Sequence, residues 1–422
     1  MPIANEMETT IEQMLKAWYP KNMDTLYGGF LSEFTYDFKP TSNQNKFIVT
    51  QARHTWSNCK AATRYPDVPY YKTLAQHGYK FLHDVMWDKT YGGFYTMVDR
   101  KGNVIDSTKN AYGNAFGIYA LAAYCKLTND PDAMNFVQEA FMWMEKHSHD
   151  PVHKGYFQHM QRDGTPIQRT AIPHVRETAE TGYKDQNSSI HLLEAFTELY
   201  AVWQSATVRE RLNEMLLLIR DTMIGNKSYL TLFFQPDWTP VSIRDSSDAY
   251  IMAHHGLDYV SFGHNVETSY LLLEASHALS IQNDTTTLRI AKQMMDHALQ
   301  HAWDNKPGGF YDAGYYFRDK PGLTIISTEK NWWSQAEELN TLLMMSRLFP
   351  GDPMHYYDKF KQQWNYIQTY LADPTYGDWY ANGLDIEPES KTALKGHIWK
   401  GNYHQFRSMM NCVDMLKGKN DE

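Results

Sequence analysis

Cysteine is scarce in this 422-residue sequence: Cys59, Cys125 and Cys412 stand far apart, without metal-ligand spacing. A sparse, odd count argues against a disulfide framework and matches a reducing compartment. No stretch approaches the roughly 18 apolar residues of a membrane-spanning helix. Met1 to Thr10 carries Glu6 and Glu8 where a signal peptide has an apolar run. Basic clusters are missing, and a formal net charge of -9 lacks the cationic footprint of a nucleic-acid binder. No Gly-x-x-x-x-Gly-Lys loop is present to cradle a nucleotide phosphate. Pro/Gly/Ser linkers, low-complexity tracts and long charge runs are absent too, so nothing divides the chain. The expectation is a soluble, cytoplasmic protein with a single domain over residues 1–422. Its partner is expected to be a small molecule, not a nucleic acid or a membrane. Monomer and homodimer both stay open.

What is present is a repeated phrase. Asp24 to Phe30 ends in Gly28-Gly29-Phe30, Asp88 to Phe94 in Gly92-Gly93-Phe94, and Asp304 to Phe310 in Gly308-Gly309-Phe310. Looser copies run from Asp150 to Phe157 and from Asp373 to Trp379, and a worn one, without its glycines, lies near Asn226 to Phe234. Such spacing suits a helical-hairpin repeat, and six units fill the chain, overriding the two or three domains that length alone suggests.

Between the phrases the apolar period is helical. First helices are predicted over 47–62, 112–127, 188–206, 266–281 and 332–349, and second helices over 71–87, 133–147, 208–223, 288–303 and 354–372. A last helix is predicted from about Tyr403 to Leu416. Segments such as Phe94 to Val98, before Lys101-Gly102, alternate and read as short hairpins. Repeated six times, this gives two concentric helical rings with the hairpins at one mouth. Aromatics make up 14% of residues, including 12 Trp and 29 Tyr, which supplies either a large core or faces for stacking sugar rings.

Three inner helices open on polar phrases with a histidine: Asn187 to Ala195 (His191), Ser261 to Glu267 (His264) and Trp399 to His404. One such residue alone reads as a cap or core histidine. Three at equivalent repeat positions point to a site on the barrel rim. None belongs to a His-Glu-x-x-His pair, so no catalytic metal is expected. Arg53, in mid-helix, is either paired to a carboxylate or aimed at an anionic ligand. Tyr112, the polar run Lys184-Asp185-Gln186-Asn187, and Trp332-Trp333 with Glu337 add further candidates.

Together, Tyr112 to Phe116, Asn187 to Ala195, Ser261 to Glu267, Trp332 to Glu337 and Trp399 to His404 resemble the cellobiose 2-epimerase branch of the N-acylglucosamine 2-epimerase superfamily. The resemblance covers nearly the full chain, in order. It implies an all-α fold, the alpha/alpha six-fold barrel, in accord with the repeat count. It implies that His264 and His404 are the acid/base pair, and that Arg53, Tyr112, Asn187, His191, Glu267, Trp333, Glu337 and Trp399 surround the sugar; Asp185 joins the substrate-binding set. Two departures bear on substrate choice. Asn265 stands where Asp is expected, and Ala52 to Ser57 is less apolar than in the disaccharide enzymes.

Inverting C2 of an open-chain aldose needs a base on one face and an acid on the other, with no cofactor, and imidazole suits both roles. The ene-diolate needs donors at O1, for which Arg53 and His191 are the candidates. Glu267, three residues after His264 on the same helix face, is expected to orient it or pass the ring-opening proton. Trp333 and Trp399 would wall the sugar from water. The favoured reaction is interconversion of D-mannose and D-glucose. Cellobiose-type β-1,4-disaccharides, aldose–ketose isomerisation of mannose to fructose, glycoside hydrolysis and non-catalytic sugar binding are the alternatives.

Overall fold

A computed structural model describes residues 2–167 and 183–418. Its helices sort by where their apolar residues lie. α4 (Ala111–Thr128) is small or apolar on every side, with Ala115, Ala120, Ala122 and Leu121 buried, and a helix without a polar stripe must be wrapped by others. α5 (Pro131–His147) buries one stripe, Ala133, Phe136, Val137, Ala140, Phe141 and Met144, and turns its charges outward. The first kind builds an inner ring: α2 (Ile48–Arg64), α4, α6 (Gln186–Val202), α9 (Phe262–Ala278), α11 (Trp332–Leu348) and α13 (Tyr403–Leu416) pack each on the next, and α13 returns to α2. Outside them lie α3 (Pro69–Phe81), α5, α7 (Ala206–Leu217), α10 (Thr285–His301) and α12 (Tyr356–Tyr366), each against its own inner helix. The fold is the expected alpha/alpha barrel.

One outer helix was not expected. α1 (Pro2–Trp18) buries Met7, Ile11, Met14, Leu15 and Trp18 and packs on α13, so the first helix supplies the outer partner of the last. A short α8 (Asp248–His254), also unforeseen, lies before α9. The strands are two to four residues long. β1 (Lys46–Phe47) pairs with β2 (Met97–Val98), which pairs with β3 (Val104–Asp106); β4 (Lys109–Asn110) pairs with β5 (His159–Met160). β6 (Lys184–Asp185) pairs with β7 (Phe233–Phe234), and β8 (Val260–Ser261) with β9 (Ala313–Tyr315), which pairs with β10 (Thr324–Ser327). The expected hairpins exist at β2–β3 and β9–β10. The strand leading into an inner helix also pairs with the following repeat, tying neighbours together at the mouth.

The repeated phrase is a turn with a clip. Asp24 Oδ1 accepts the Leu26 and Tyr27 N–H groups at 3.2 Å, while Gly28 and Gly29 take φ of 78° and 64°. The next residue, Phe30, is held by α2: its N–H donates to Gln51 Oε1 and its carbonyl accepts from Gln51 Nε2, both at 2.8 Å. Asn114 and Gln335 clip Phe94 and Phe310 in the same way, each at 3.0 Å. In the worn copy Leu230 takes the phenylalanine's place, and its N–H donates to Asn265 Oδ1 at 3.0 Å.

Candidate active site

The inner helices start in register. With Ile48, Ala111, Gln186, Phe262, Trp332 and, for α13, its N-cap residue Asn402 as position one, position three holds Thr50, Gly113, Ser188, His264, Ser334 and His404. Position six holds Arg53, Phe116, His191, Glu267, Glu337 and Arg407. The expectation of three equivalent histidines is thereby corrected. His264 and His404 are equivalent, whereas His191 lies one helical turn deeper, in a layer of ionisable groups.

These layers line one cavity of about 230 Å³, walled by Arg53, Tyr112, Asn187, His191, His264, Glu267, Trp332, Trp333, Trp399 and His404. The Trp333 indole touches both rim histidines, its centroid 4.7 Å from His264 and 5.7 Å from His404. Their separation is therefore bounded by those two distances together. Room for the indole exists because position two of α9 is Gly263: a Cβ there would stand 2.6 Å from Trp333 Cη2. Trp399 remains 46% exposed at the mouth, edge-on to Phe47 at 4.7 Å.

Arg53 is buried and, among the described residues, forms no ion pair. It donates to the Tyr112 hydroxyl at 2.8 Å and the Trp399 carbonyl at 3.4 Å, and lies over the Phe116 and Tyr403 rings at 4.4 and 4.9 Å. Its Nε has no partner among the described residues. Below it the charges are tightly bonded. Arg407 Nη2 lies 2.6 Å from Glu267 Oε1 and 2.8 Å from Glu337 Oε1, and Nη1 bonds Glu194. Glu337 Oε1 reaches His404 Nδ1 at 2.7 Å, and Glu194 Oε2 reaches His191 Nδ1 at 2.8 Å. His264 has a neutral backing instead, Ser261 Oγ at 2.8 Å from Nδ1.

Burial sets the protonation. It pushes His404 well below the usual imidazole range, with the Arg53 charge adding to the effect. It does the same to His191, helped by Arg53 and Arg407, and brings His264 down to about 3. Glu267 is pushed up to about 8 by burial, against the pull of Arg53. Glu337 is raised well above its ordinary value, by burial first and by Glu267 second. Arg407 is lowered to about 10 and stays charged at neutral pH. The two carboxyl groups thus retain a proton. Glu267, pushed up to about 8, carries a proton at neutral pH, while Glu337 bonds both the Arg407 guanidinium and His404 Nδ1. Among the described residues Glu267, Glu337 and His404 have the spacing of a metal site, their donor atoms within 4.8 Å; the Arg407 guanidinium supplies the cation between the carboxylates.

The profile of N-acylglucosamine 2-epimerase matches residues 28–408. The chain belongs to that family. The cellobiose 2-epimerase of Bacteroides fragilis is 26% identical over 408 residues, covering 96% of both chains. The D-mannose isomerase of Marinomonas mediterranea is 24% identical, covering 97% of this chain and 96% of that one. The solved cellobiose 2-epimerase of Spirochaeta thermophila superposes with a TM-score of 0.84 at 27% identity, over 99% of this chain and 98% of that one. The chain is an isomerase of the carbohydrate 2-epimerase type.

Within this epimerase, three sequence expectations change. Asp185 is not a wall of the cavity but the N-cap of α6: its Oδ2 accepts the Ser188 N–H at 2.9 Å, and burial raises it to about 6. Asn265 faces away from the sugar site as the Leu230 clip, equivalent to Gln51 and Asn114, so its departure from Asp concerns the repeat turn. Glu337 stands behind His404 rather than in the wall. Glu194 and Arg407 were not among the expected site residues. Arg407 shares position six with His191, Glu267 and Glu337, which is the signal that could have found it, and Glu194 lies one helical turn beyond His191 in the same polar phrase.

Proposed function

We propose that this epimerase interconverts D-mannose and D-glucose at C2, with His264 and His404 as the two bases. The observation that carries this reading is the pair of equivalent imidazoles meeting across one indole, each neutral at rest. The cavity of about 230 Å³ supports a single hexose, since it is smaller than the roughly 300–1,000 Å³ pockets that enclose drug-sized ligands. The departure around Arg53 also acts at the mouth. His54 accepts or donates at Nδ1 with Tyr19 and Asn22, and its ring backs Gly401 in the loop carrying Trp399.

The proton balance assigns roles. Ring opening moves the O1 proton to neutral His264 while protonated Glu267 protonates O5. His404 then removes the C2 proton, becoming an imidazolium held by Glu337, which makes it the stronger carbon base. The His264 imidazolium returns a proton to the opposite face of C2. On closure O5 gives its proton back to Glu267, and His404 reprotonates O1. The reverse direction exchanges the two histidines.

Arg53, lacking a carboxylate partner, and the Tyr112 hydroxyl, which accepts from Arg53 and keeps its own hydrogen to donate, suit the ene-diolate oxygens. His191 suits another role than O1 donor. Glu194 accepts from Arg407 and Tyr403, so His191 Nδ1 is the donor to it and Nε2 offers a lone pair, an acceptor for a sugar hydroxyl. Glu267 and Glu337 share one guanidinium nitrogen on one side of the cavity, instead of flanking a bond as hydrolysis requires. The test is incubation with mannose in D₂O. Glucose carrying deuterium at C2 is expected. Fructose as the main product would favour ketose formation, and conversion of cellobiose in preference to mannose would move the substrate to the disaccharides.

A further inference from the structure

One repeat departs from the others outside the active site. Two residues before position one of the inner-helix register, five of the six repeats place a lysine with no exposed surface, its ammonium on a carboxylate of the turn: Lys46 on Asp24, Lys109 on Asp88, Lys184 on Asp150, Lys330 on Asp304 and Lys400 on Asp378. In the first two, an arginine of the turn after the strand joins the same carboxylate, Arg100 on Asp24 and Arg162 on Asp88. The worn fourth repeat has lost the set. Val260 stands in the lysine's place, and its pairing with Gly314, as Lys46 pairs with Val98, puts Tyr316 in the place of Arg100. The turn from Ile224 to Leu230 has no aspartate.

The slot is left open as a cavity of about 90 Å³, lined by Lys227, Tyr229, Arg244, Asp258, Val260 and Tyr316, among others. Its charge is unbalanced. Among the described residues Lys227 Nζ donates only to Thr231 Oγ1, at 2.8 Å, and Arg244 lies over the Tyr316 ring at 5.9 Å. Among the described residues neither forms an ion pair. One acid among the walls offsets part of the two positive charges, without an ion pair to either: Asp258, whose Oδ2 accepts from the Ser242 hydroxyl, from the Ile243 N–H at 3.2 Å and from the Tyr315 hydroxyl at 3.4 Å. Tyr229 and Tyr316 stack at 5.2 Å and form a flat wall. Two unpaired cations on separate segments, with hydroxyls between them, converge on a space the size of a small headgroup.

We propose that this vacated slot is an anion site for inorganic phosphate or the headgroup of a phosphate monoester. The cations grip it from the turn and from the Arg244 loop, while Thr231 and Ser242 lie within the same walls. Nothing in the sugar chemistry requires it, and it does not depend on the substrate of the active site.

Calorimetric titration of the full chain, without sugar, tests it with two probes, inorganic phosphate and glycerol 3-phosphate. Saturable one-to-one binding is expected, weaker at high salt. Binding of both probes identifies the headgroup as sufficient; binding of the ester alone identifies the ester as the ligand. Lys227→Ala and Arg244→Ala should each weaken binding about tenfold, the worth of one hydrogen bond to a charged group. The double variant should abolish it with an unchanged melting temperature, since both side chains are exposed. Absence of saturable binding of either probe, or full binding by the folded double variant, overturns the proposal.

Discussion

A histidine becomes a carbon base when its surroundings keep it neutral yet ready to hold charge, and His404 meets both demands. Burial and Arg53 keep the proton off at rest, while Glu337 at 2.7 Å receives the charge once it forms. Glu337→Gln keeps the contact but not the charge. Its kcat is expected to fall about 10- to 100-fold, the worth of one charge-assisted hydrogen bond, with KM for the sugar little changed in steady-state assays. The pH profile of kcat/KM should be asymmetric. Glu267 serves as an acid only while protonated, so activity should fall as pH rises through about 8. The acid limb should lie far below the ordinary histidine range, because His264 resists protonation down to about 3. A second carboxyl makes a stability prediction. Glu338 is fully buried, and neither of its side-chain oxygens has a partner among the described residues; burial raises it well above the usual range. Folding therefore retains a proton that the unfolded chain releases, and stability is lost as pH rises above the ordinary carboxylate range. Glu338→Met should stabilise by about 1–3 kcal/mol at neutral pH, and by less in melts near pH 4. His264 and His404 were legible because each sits in a polar phrase. Arg407 and Glu194 were not, because the ion pair that gives them meaning joins α6 and α13 across more than two hundred residues of sequence.

At the scale of the element, the turn phrase was read correctly and its partner was missed. The Asp–Gly–Gly–Phe geometry is local, so a short window contains it. The lysine that neutralises the aspartate is 21 residues on in one repeat and 34 in another, with no fixed spacing to find. Lys184 tests its weight. Its ammonium bonds Asp150 and the carbonyls of Lys154 and Pro236, each at 2.7 Å. Lys184→Met leaves a buried carboxylate unpaired and should cost about 3–5 kcal/mol in urea unfolding. Adding Asp150→Asn should recover part of that loss.

For the whole molecule, ring closure is the decisive feature. Six inner helices were foreseen, and six outer ones are needed to cover them, yet the sixth precedes the first repeat in sequence. Its apolar spacing, Met7, Ile11, Met14, Leu15 and Trp18, is an ordinary amphipathic signal, recognisable once the missing partner of α13 is counted. Trp18 Nε1 also donates to Asp378 at 3.0 Å, joining the first helix to the last turn phrase. Because α1 backs the helix carrying His404, Ile11→Ala should cost about 2–5 kcal/mol, and activity should disappear at the same urea concentration as helical circular dichroism. The same closure brings residues 264 and 404 to one indole. The most direct measurement is C2 exchange in D₂O for His264→Asn and His404→Asn, followed by proton signals of mannose and glucose. Loss of epimerisation by about 10²-fold or more in each folded variant is the expected result. Undiminished epimerisation with C2 deuteration in either one would contradict the two-histidine chemistry.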